Sequence, residues 1–248
     1  MCPILFHFGP LTVYSYGLMF ALAVVTGTWL LSREASRRGV GQGPIDPEII
    51  FDLAFWIVLS GIIGARAYYL FLYPEVFKDN WLEIFMLQHG GLAFQGGFIL
   101  VVPVTFWFLK KKGLPILPMI DLMAPYAALA QAIGRIGCFL NGCCYGREVS
   151  WGIYFPVHEA RLHPTQLYET AGLLAAFFIL RKFQSLPHRA GQIFAWYLIL
   201  AGIERFVVEF FRDDHAAMYG SLSNFQVISL GVIAAGILMH GVIKIKKT

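Results

Sequence analysis

The sequence predicts an all-α integral membrane protein, a seven-transmembrane-helix bundle with a small outward-facing loop region, built as a single polytopic domain over residues 1–248. Three observations carry that prediction. Only 14% of the residues are charged, while 58% are hydrophobic and 16% aromatic, and the mean hydropathy is +0.64. A soluble domain carries about 25% charged residues, so this chain has about half the usual solvating surface. Seven apolar stretches approach or exceed the length a helix needs to cross hydrocarbon, about 20 residues; they cover 11–32, 48–73, 94–109, 115–140, 164–180, 191–211 and 223–243. They run uninterrupted, unlike the roughly 10-residue alternating strands of an outer-membrane barrel. The same composition excludes disorder, collagen, coiled coil and a small disulfide scaffold.

The third observation is where the cations fall. Arg33, Arg37 and Arg38 follow the first span, Lys110, Lys111 and Lys112 the third, Arg181, Lys182 and Arg189 the fifth, and Lys244, Lys246 and Lys247 the seventh. Twelve of the nineteen Lys and Arg residues thus share one side, and the positive-inside rule makes that side cytoplasmic. The N-terminus then faces outward and the C-terminus lies in the cytoplasm. An even number of spans would break the alternation. The net charge of +4 is a topology signal, and no nucleic-acid partner is expected from it. The first span starts too late, and without a basic leader or small-residue cleavage site, to read as a removable signal peptide.

The remaining cations mark a place. Arg66, Arg135 and Arg205 lie within or at the outer ends of spans two, four and six, and Arg212 sits at the outer border of span six. A cation at mid-bilayer costs at least about 2.5–3.5 kcal/mol, so each is a functional-site candidate. All four converge on the outer leaflet.

Between spans two and three runs His89-Gly90-Gly91-Leu92-Ala93-Phe94-Gln95-Gly96-Gly97. Its paired glycines permit positive φ and close backbone approach, as an anion-binding nest of N–H groups or as a tight turn at a helix start. Span four ends in Gly134-Arg135-Ile136-Gly137-Cys138-Phe139-Leu140-Asn141-Gly142-Cys143-Cys144-Tyr145-Gly146. There Ala127, Ala130, Gly134 and Gly137 form a small-residue stripe that admits a neighbouring helix. Arg135 stands in that stripe, suited to bidentate recognition of a phosphate or to snorkelling toward headgroups.

His163-Pro164-Thr165-Gln166-Leu167-Tyr168-Glu169 opens span five, with proline where a missing N–H is tolerated. Glu169 falls roughly one turn inside the membrane and needs a partner or a proton. In span six, Arg205, Glu209 and Arg212 are spaced i, i+4, i+7 on one helical face, either as a site or as a self-contained ion-pair ladder. Cys138, Cys143 and Cys144 with His163 match no usual zinc spacing, so no metal is expected. An outward location permits a disulfide among them, with the pairing open.

Taken together these segments resemble the bacterial phosphatidylglycerol–prolipoprotein diacylglyceryl transferases over nearly the whole chain. The resemblance rests on Tyr16-Gly17-Leu18-Met19, Gly64-Ala65-Arg66, the double Gly-Gly segment, and the signature of Gly134, Arg135, Gly137, Asn141, Gly142 and Gly146. The two motifs at 163–169 and 205–212 complete it. It implies an enzyme of the bacterial inner membrane, multi-pass, that moves the diacylglyceryl group of phosphatidylglycerol onto the lipobox cysteine of preprolipoprotein signal peptides. A thioether forms and glycerol phosphate leaves; no cofactor is implied.

By that resemblance Arg135 and Arg205 look like the clamp on the phosphodiester, with Arg66, Asn141, Gly146, Glu169, Glu209, Arg212, His163 and Tyr16 around the donor. The family usually carries His where this chain has Gln95, which hydrogen-bonds but is no base at neutral pH. It usually has Tyr where this chain has Ala201. The thiol base therefore falls to His89 or His163, or an arginine field lowers the thiol pKa directly. Two alternatives stay open: a divergent paralogue with another acceptor, and a non-catalytic protein that binds or moves phospholipid.

Overall fold

The computed structural model describes residues 1–9, 11–40, 43–78, 81–86, 90–212, 217–219 and 222–245. Within them lie seven α-helices: α1 (Ser15–Arg38), α2 (Pro47–Leu72), α3 (Phe94–Lys111), α4 (Ile116–Asn141), α5 (Thr165–Ser185), α6 (Gln192–Glu209) and α7 (Asn224–Ile245). Four of them, α1, α2, α4 and α7, are long and apolar enough to cross a membrane. Among the rest, α6 carries Glu204, Arg205 and Glu209 in its last two turns. Large apolar side chains stand outward along the helices, among them Phe71, Phe98, Phe178 and Leu238, each more than 60% exposed. A water-soluble surface rarely tolerates so much exposed apolar area. The chain is a multi-pass helical membrane protein.

Helix ends follow local sequence. Asp46 caps α2 by accepting from Glu48 N at 3.0 Å, with Pro47 at the first helical position. Ser223 and Gln226 form a reciprocal capping box at the start of α7: Gln226 N donates to Ser223 Oγ at 3.2 Å and Ser223 N to Gln226 Oε1 at 3.0 Å. No such residue precedes α6, which begins after Gly191. Its first N–H groups are met from α4 instead, where Asp121 accepts from Gly191 N at 2.6 Å and Phe194 N at 2.7 Å.

Among the described residues three antiparallel hairpins, absent from the sequence-based expectation, precede or join the helices: β1 (Ile4–Phe8) with β2 (Leu11–Tyr14), β3 (Glu148–Phe155) with β4 (Ala160–Leu162), and β5 (Ala217–Tyr219) with β6 (Leu222–Ser223). The first displaces the expected start of span one from residue 11 to Ser15, because 11–14 pairs with the N-terminal strand.

The chain divides into two compact units, and α1 contributes to both. In the unit Ser32–Ile116, α2 and α3 meet through glycines: a Cβ at Gly64 would strike Gly96 O, and one at Gly96 would strike Gly64 O. Small residues let backbones approach in this way where lipid supplies no hydrophobic drive between helices. Trp56 and Trp107 close the same pair edge to face at 5.6 Å. In the unit of residues 1–31 and 117–248, the core holds Ala124, Ala128, Leu180 and Ile193, with Phe177, Phe183 and Trp196 packed against it. α1 lies close on α4, since a Cβ at Gly137 would come 2.9 Å from Met19 Cβ and 3.4 Å from the Tyr16 ring.

Candidate functional site

In the larger unit, α4, α5, α6 and α7 bring charged and polar ends together. Arg135 comes from the last third of α4, Glu169 from the second turn of α5, Arg205 and Glu209 from the end of α6, and Arg212 just beyond it. Glu169 is the hub. Its Oε2 lies 2.6 Å from Arg135 Nε, and its Oε1 lies 3.8 Å from Arg205 Nη1 and 3.7 Å from Arg212 Nη1. Glu209 Oε2 pairs with Arg205 Nη1 at 2.7 Å and with Arg212 Nε at 3.9 Å. From α7, Ser223 Oγ donates to Glu209 Oε1 at 2.5 Å. The ladder expected within span six is present, but it is not self-contained: Glu169 ties it to α4.

Burial divides these groups by task. The side chains of Glu169, Glu209 and Arg212 are 1%, 3% and 5% exposed, while those of Arg135 and Arg205 are 29% and 20% exposed. Two accessible guanidinium groups are therefore held from behind by buried carboxylates. Each guanidinium has five N–H donors in a planar fork; among the described residues Arg135 meets Glu169 through Nε, and Arg205 meets Glu209 and Glu169 through Nη1. A fork held at one nitrogen can turn its other donors to an anion, the geometry that suits a phosphate. Arg205 also lies against the Phe225 ring, 5.0 Å from its centroid.

The signature loop is bound into the same place. Asn141 ends α4 in a Schellman turn: Gly142, at φ 78°, donates to Phe139 O at 3.2 Å and Cys143 N donates to Cys138 O at 3.1 Å. Two fully buried side chains of α5 then pin the next carbonyls, Gln166 Nε2 on Cys143 O at 2.6 Å and Thr165 Oγ1 on Cys144 O at 2.7 Å. Gly146 pairs with Arg212 as an isolated bridge and donates to His163 O at 3.0 Å. A Cβ there would run into Phe211 O, so the glycine is required by the chain that carries Arg212. His163 sits among rings, 4.7 Å from Trp151 and 5.3 Å from Phe211, and shares a 3.1 Å hydrogen bond with the Tyr168 hydroxyl. Tyr16 rests over Gly137, two positions after Arg135 on α4.

Arg66 and Gln95 belong to the other unit. Arg66 is buried and clasps a loop: its Nε donates to Ile84 O at 3.0 Å, Nη1 to Gly90 O at 2.6 Å and Gly91 O at 2.9 Å, and Nη2 to Glu83 O. The first glycine pair turns its carbonyls toward Arg66, and the second lies in the α2–α3 contact. Neither arrangement is the nest of N–H groups considered above. Gln95 is exposed in the first turn of α3. His89 lies outside the described residues.

Sequence reasoning missed one feature and left another open. Glu204 lies across Gly172 of α5, whose lack of a side chain leaves room for it. Its Oε1 is buried without a hydrogen-bond partner among the described residues. The three cysteines, all free thiols, converge with their sulfur atoms within 4.8 Å of one another. Hydrogen bonds from Cys138 and Cys143 hold the Cys144 thiol well below its ordinary pKa, assisted by Arg212 and Arg135 against the desolvation of burial.

Known proteins share this arrangement of sequence. Residues 3–242 match the family model described as prolipoprotein diacylglyceryl transferase. A phosphatidylglycerol–prolipoprotein diacylglyceryl transferase of Clostridium tetani is 34% identical over 255 residues, covering all of both chains. One from Bordetella avium is 37% identical, covering 96% of this chain and 92% of its own, and one from Geobacillus kaustophilus is 36% identical, covering 94% and 89%. With a family match across nearly the full length and relatives 34–37% identical over at least 94% of the chain, the chain belongs to the prolipoprotein diacylglyceryl transferase family.

Proposed function

We propose that the chain transfers the diacylglyceryl group of phosphatidylglycerol to the lipobox cysteine thiol of preprolipoprotein signal peptides. The observation that carries this reading is the pair Arg135 and Arg205, accessible at their heads and anchored behind by buried Glu169 and Glu209. In the proposed step the acceptor thiolate attacks the glyceryl carbon bonded to the phosphate oxygen. The new C–S bond forms as that C–O bond breaks, and glycerol phosphate leaves with the electron pair. Charge then grows on the phosphate, where two fixed guanidinium groups stabilise it most.

Around that clamp, Arg212, Asn141, Gly146 and Tyr16 shape the donor site and His163 borders it. Arg66 serves through the loop it clasps. The thiol loses its proton without a His at position 95. His89 or His163 takes it, or the arginine field favours the thiolate directly; Gln95 orients the acceptor by hydrogen bonding.

The topology proposed is a single polytopic domain with seven spans in a bacterial inner membrane, N-terminus outside and C-terminus in the cytoplasm. Its support is the alternation of cations with the seven helices, including basic last turns on α1, α3, α5 and α7. The charged cluster then lies at the outer end of α4, α5, α6 and α7.

The test is reconstitution with phosphatidylglycerol and a lipobox peptide, followed for both glycerol phosphate and peptide thioether. Both products are expected, and both are lost in Arg135→Ala and Arg205→Ala while the protein stays folded in the membrane. Full activity in both variants would overturn the clamp. Gln95 and Ala201 motivate a second reading, a paralogue with another acceptor or a non-catalytic lipid binder. Donor binding with neither product would favour it.

A further inference from the structure

We infer that Cys138, Cys143 and Cys144 form a binding site for one thiophilic d10 metal ion of the zinc class, held by three thiolates with a fourth position open to water. Their sulfur atoms all lie within 4.8 Å of one another. Around a single zinc-like ion, with metal–sulfur bonds of about 2.3 Å, three thiolates stand roughly 3.7–4.0 Å apart. The observed triangle therefore closes by small side-chain rotations, without movement of the backbone.

The backbone is fixed in advance. The Schellman turn folds Cys143 back over Cys138, with Cys143 N on Cys138 O at 3.1 Å. Gln166 and Thr165, both fully buried, hold the carbonyls of Cys143 and Cys144 at 2.6 and 2.7 Å. Cys144 takes φ 62°, a region an L-residue rarely adopts. That bend lets two cysteines adjacent in sequence aim their sulfurs at one point, the arrangement the linear spacing hides.

Ligand type decides the ion. Within the cluster the donors are sulfur only, which selects zinc, cuprous copper or cadmium over magnesium and calcium. Cys138 is buried at the floor, while Cys143 and Cys144 are half-buried and leave an entry. A disulfide would join two of the sulfurs and strand the third. On binding, each protonated thiol releases its proton to solvent as its sulfur coordinates; no oxidant or reductant is involved.

The experiment uses the full chain, reduced, in detergent. Titration with Cd2+ is followed by ultraviolet thiolate-to-metal charge transfer. Alkylation by N-ethylmaleimide is then mapped by mass spectrometry with and without Zn2+. The expected result is one Cd2+ per chain, and Zn2+ protection of Cys138, Cys143 and Cys144 while Cys2 still reacts. Cys143→Ser weakens binding at least about tenfold, and Cys2→Ser leaves it unchanged. The proposal is overturned if the native protein gives neither the absorbance band nor protection at one equivalent, if Cys143→Ser binds as tightly as the parent, or if a variant with all three cysteines changed to serine retains the band. The protection arm needs no variant, so misfolding of a substituted chain does not decide the outcome.

Discussion

Replacing Glu169 with Gln tests the cluster at its hub. The change keeps the side-chain shape and removes one charge that three guanidinium groups face at 2.6, 3.7 and 3.8 Å. At an effective dielectric of about 20, one pair at 4 Å is worth about 4 kcal/mol before desolvation is charged against it. The net cost of removing one member of a buried pair is about 3–5 kcal/mol; here Arg135 loses its carboxylate and the buried Arg212 loses one of the two that face it. For a chain of this size about 1 kcal/mol moves a thermal midpoint by roughly 2–4 °C, so Glu169→Gln is expected to melt about 6–20 °C below the parent. Thermal unfolding in detergent, read by tryptophan fluorescence, measures it. A second arm isolates the electrostatics. Glycerol phosphate or phosphatidylglycerol supplies the missing anion, so it should raise the midpoint of Glu169→Gln more than that of the parent. A midpoint within about 1 °C of the parent, or an equal ligand-induced rise in both, would refute the hub.

Ser223→Ala removes both the α7 cap and the 2.5 Å hydrogen bond to Glu209; a loss of about 1–3 kcal/mol is expected, with a higher donor KM at similar kcat. Restoration by Ser223→Thr would locate the effect in the hydroxyl, and an unchanged KM would dismiss the link to Arg205. Gly146→Ala places a methyl group against Phe211 O on backbone fixed from both sides, at about 1–3 kcal/mol of overpacking. Turnover should fall at least tenfold, roughly the size of that strain passed to Arg212; parental activity would mean the bridge is incidental. Gln95→His should raise transfer and add a rate inflection near pH 6.5, the ordinary imidazole range, with activity gained as the ring loses its proton. An unchanged rate and pH profile would place the thiol base elsewhere.

The helices were legible in the sequence because hydropathy acts over about 20 residues; six of the seven begin within a residue of the apolar stretches that announce them. The hairpins were not. β5 and β6 are three and two residues long, and β3 buries Gly152 and Phe155 without a two-residue alternation. Arg135, Glu169, Arg205, Glu209 and Arg212 stood out one by one as charges in apolar runs, but sequence offers no means to assign Glu169 to an arginine 34 residues earlier on another helix. The cysteines were hidden by a reversal of the chain, which undoes linear spacing. Glu204 was hidden by its neighbour: it adjoins Arg205 in sequence, and only the bare face of Gly172 reveals where it goes. The capping box Ser223–Gln226 went unread, although a serine three residues before a glutamine at a helix start is itself the signal.

The carboxylates raise a question of economy in charge, because a site meant for a phosphate gains nothing in attraction from Glu169 and Glu209. Their value lies in geometry. An arginine near a membrane face extends toward the headgroups when nothing holds it, and such an arm meets lipid phosphate everywhere and nowhere in particular. Glu169 and Glu209 are buried to 1% and 3% exposure and hold Arg135 at Nε and Arg205 at Nη1, which sets where the rest of each fork stands. Binding that is equally strong in ground and transition states accelerates nothing. Weakened overall attraction with fixed direction concentrates stabilisation on the charge that appears as the C–O bond breaks, and it eases the departure of an anionic product. On this reasoning Arg135→Lys, which keeps the charge and loses the fork, should bind phosphatidylglycerol within about threefold of the parent yet lose most of its turnover. If lysine supports both equally, net charge, and not the position set by Glu169, is what the site provides.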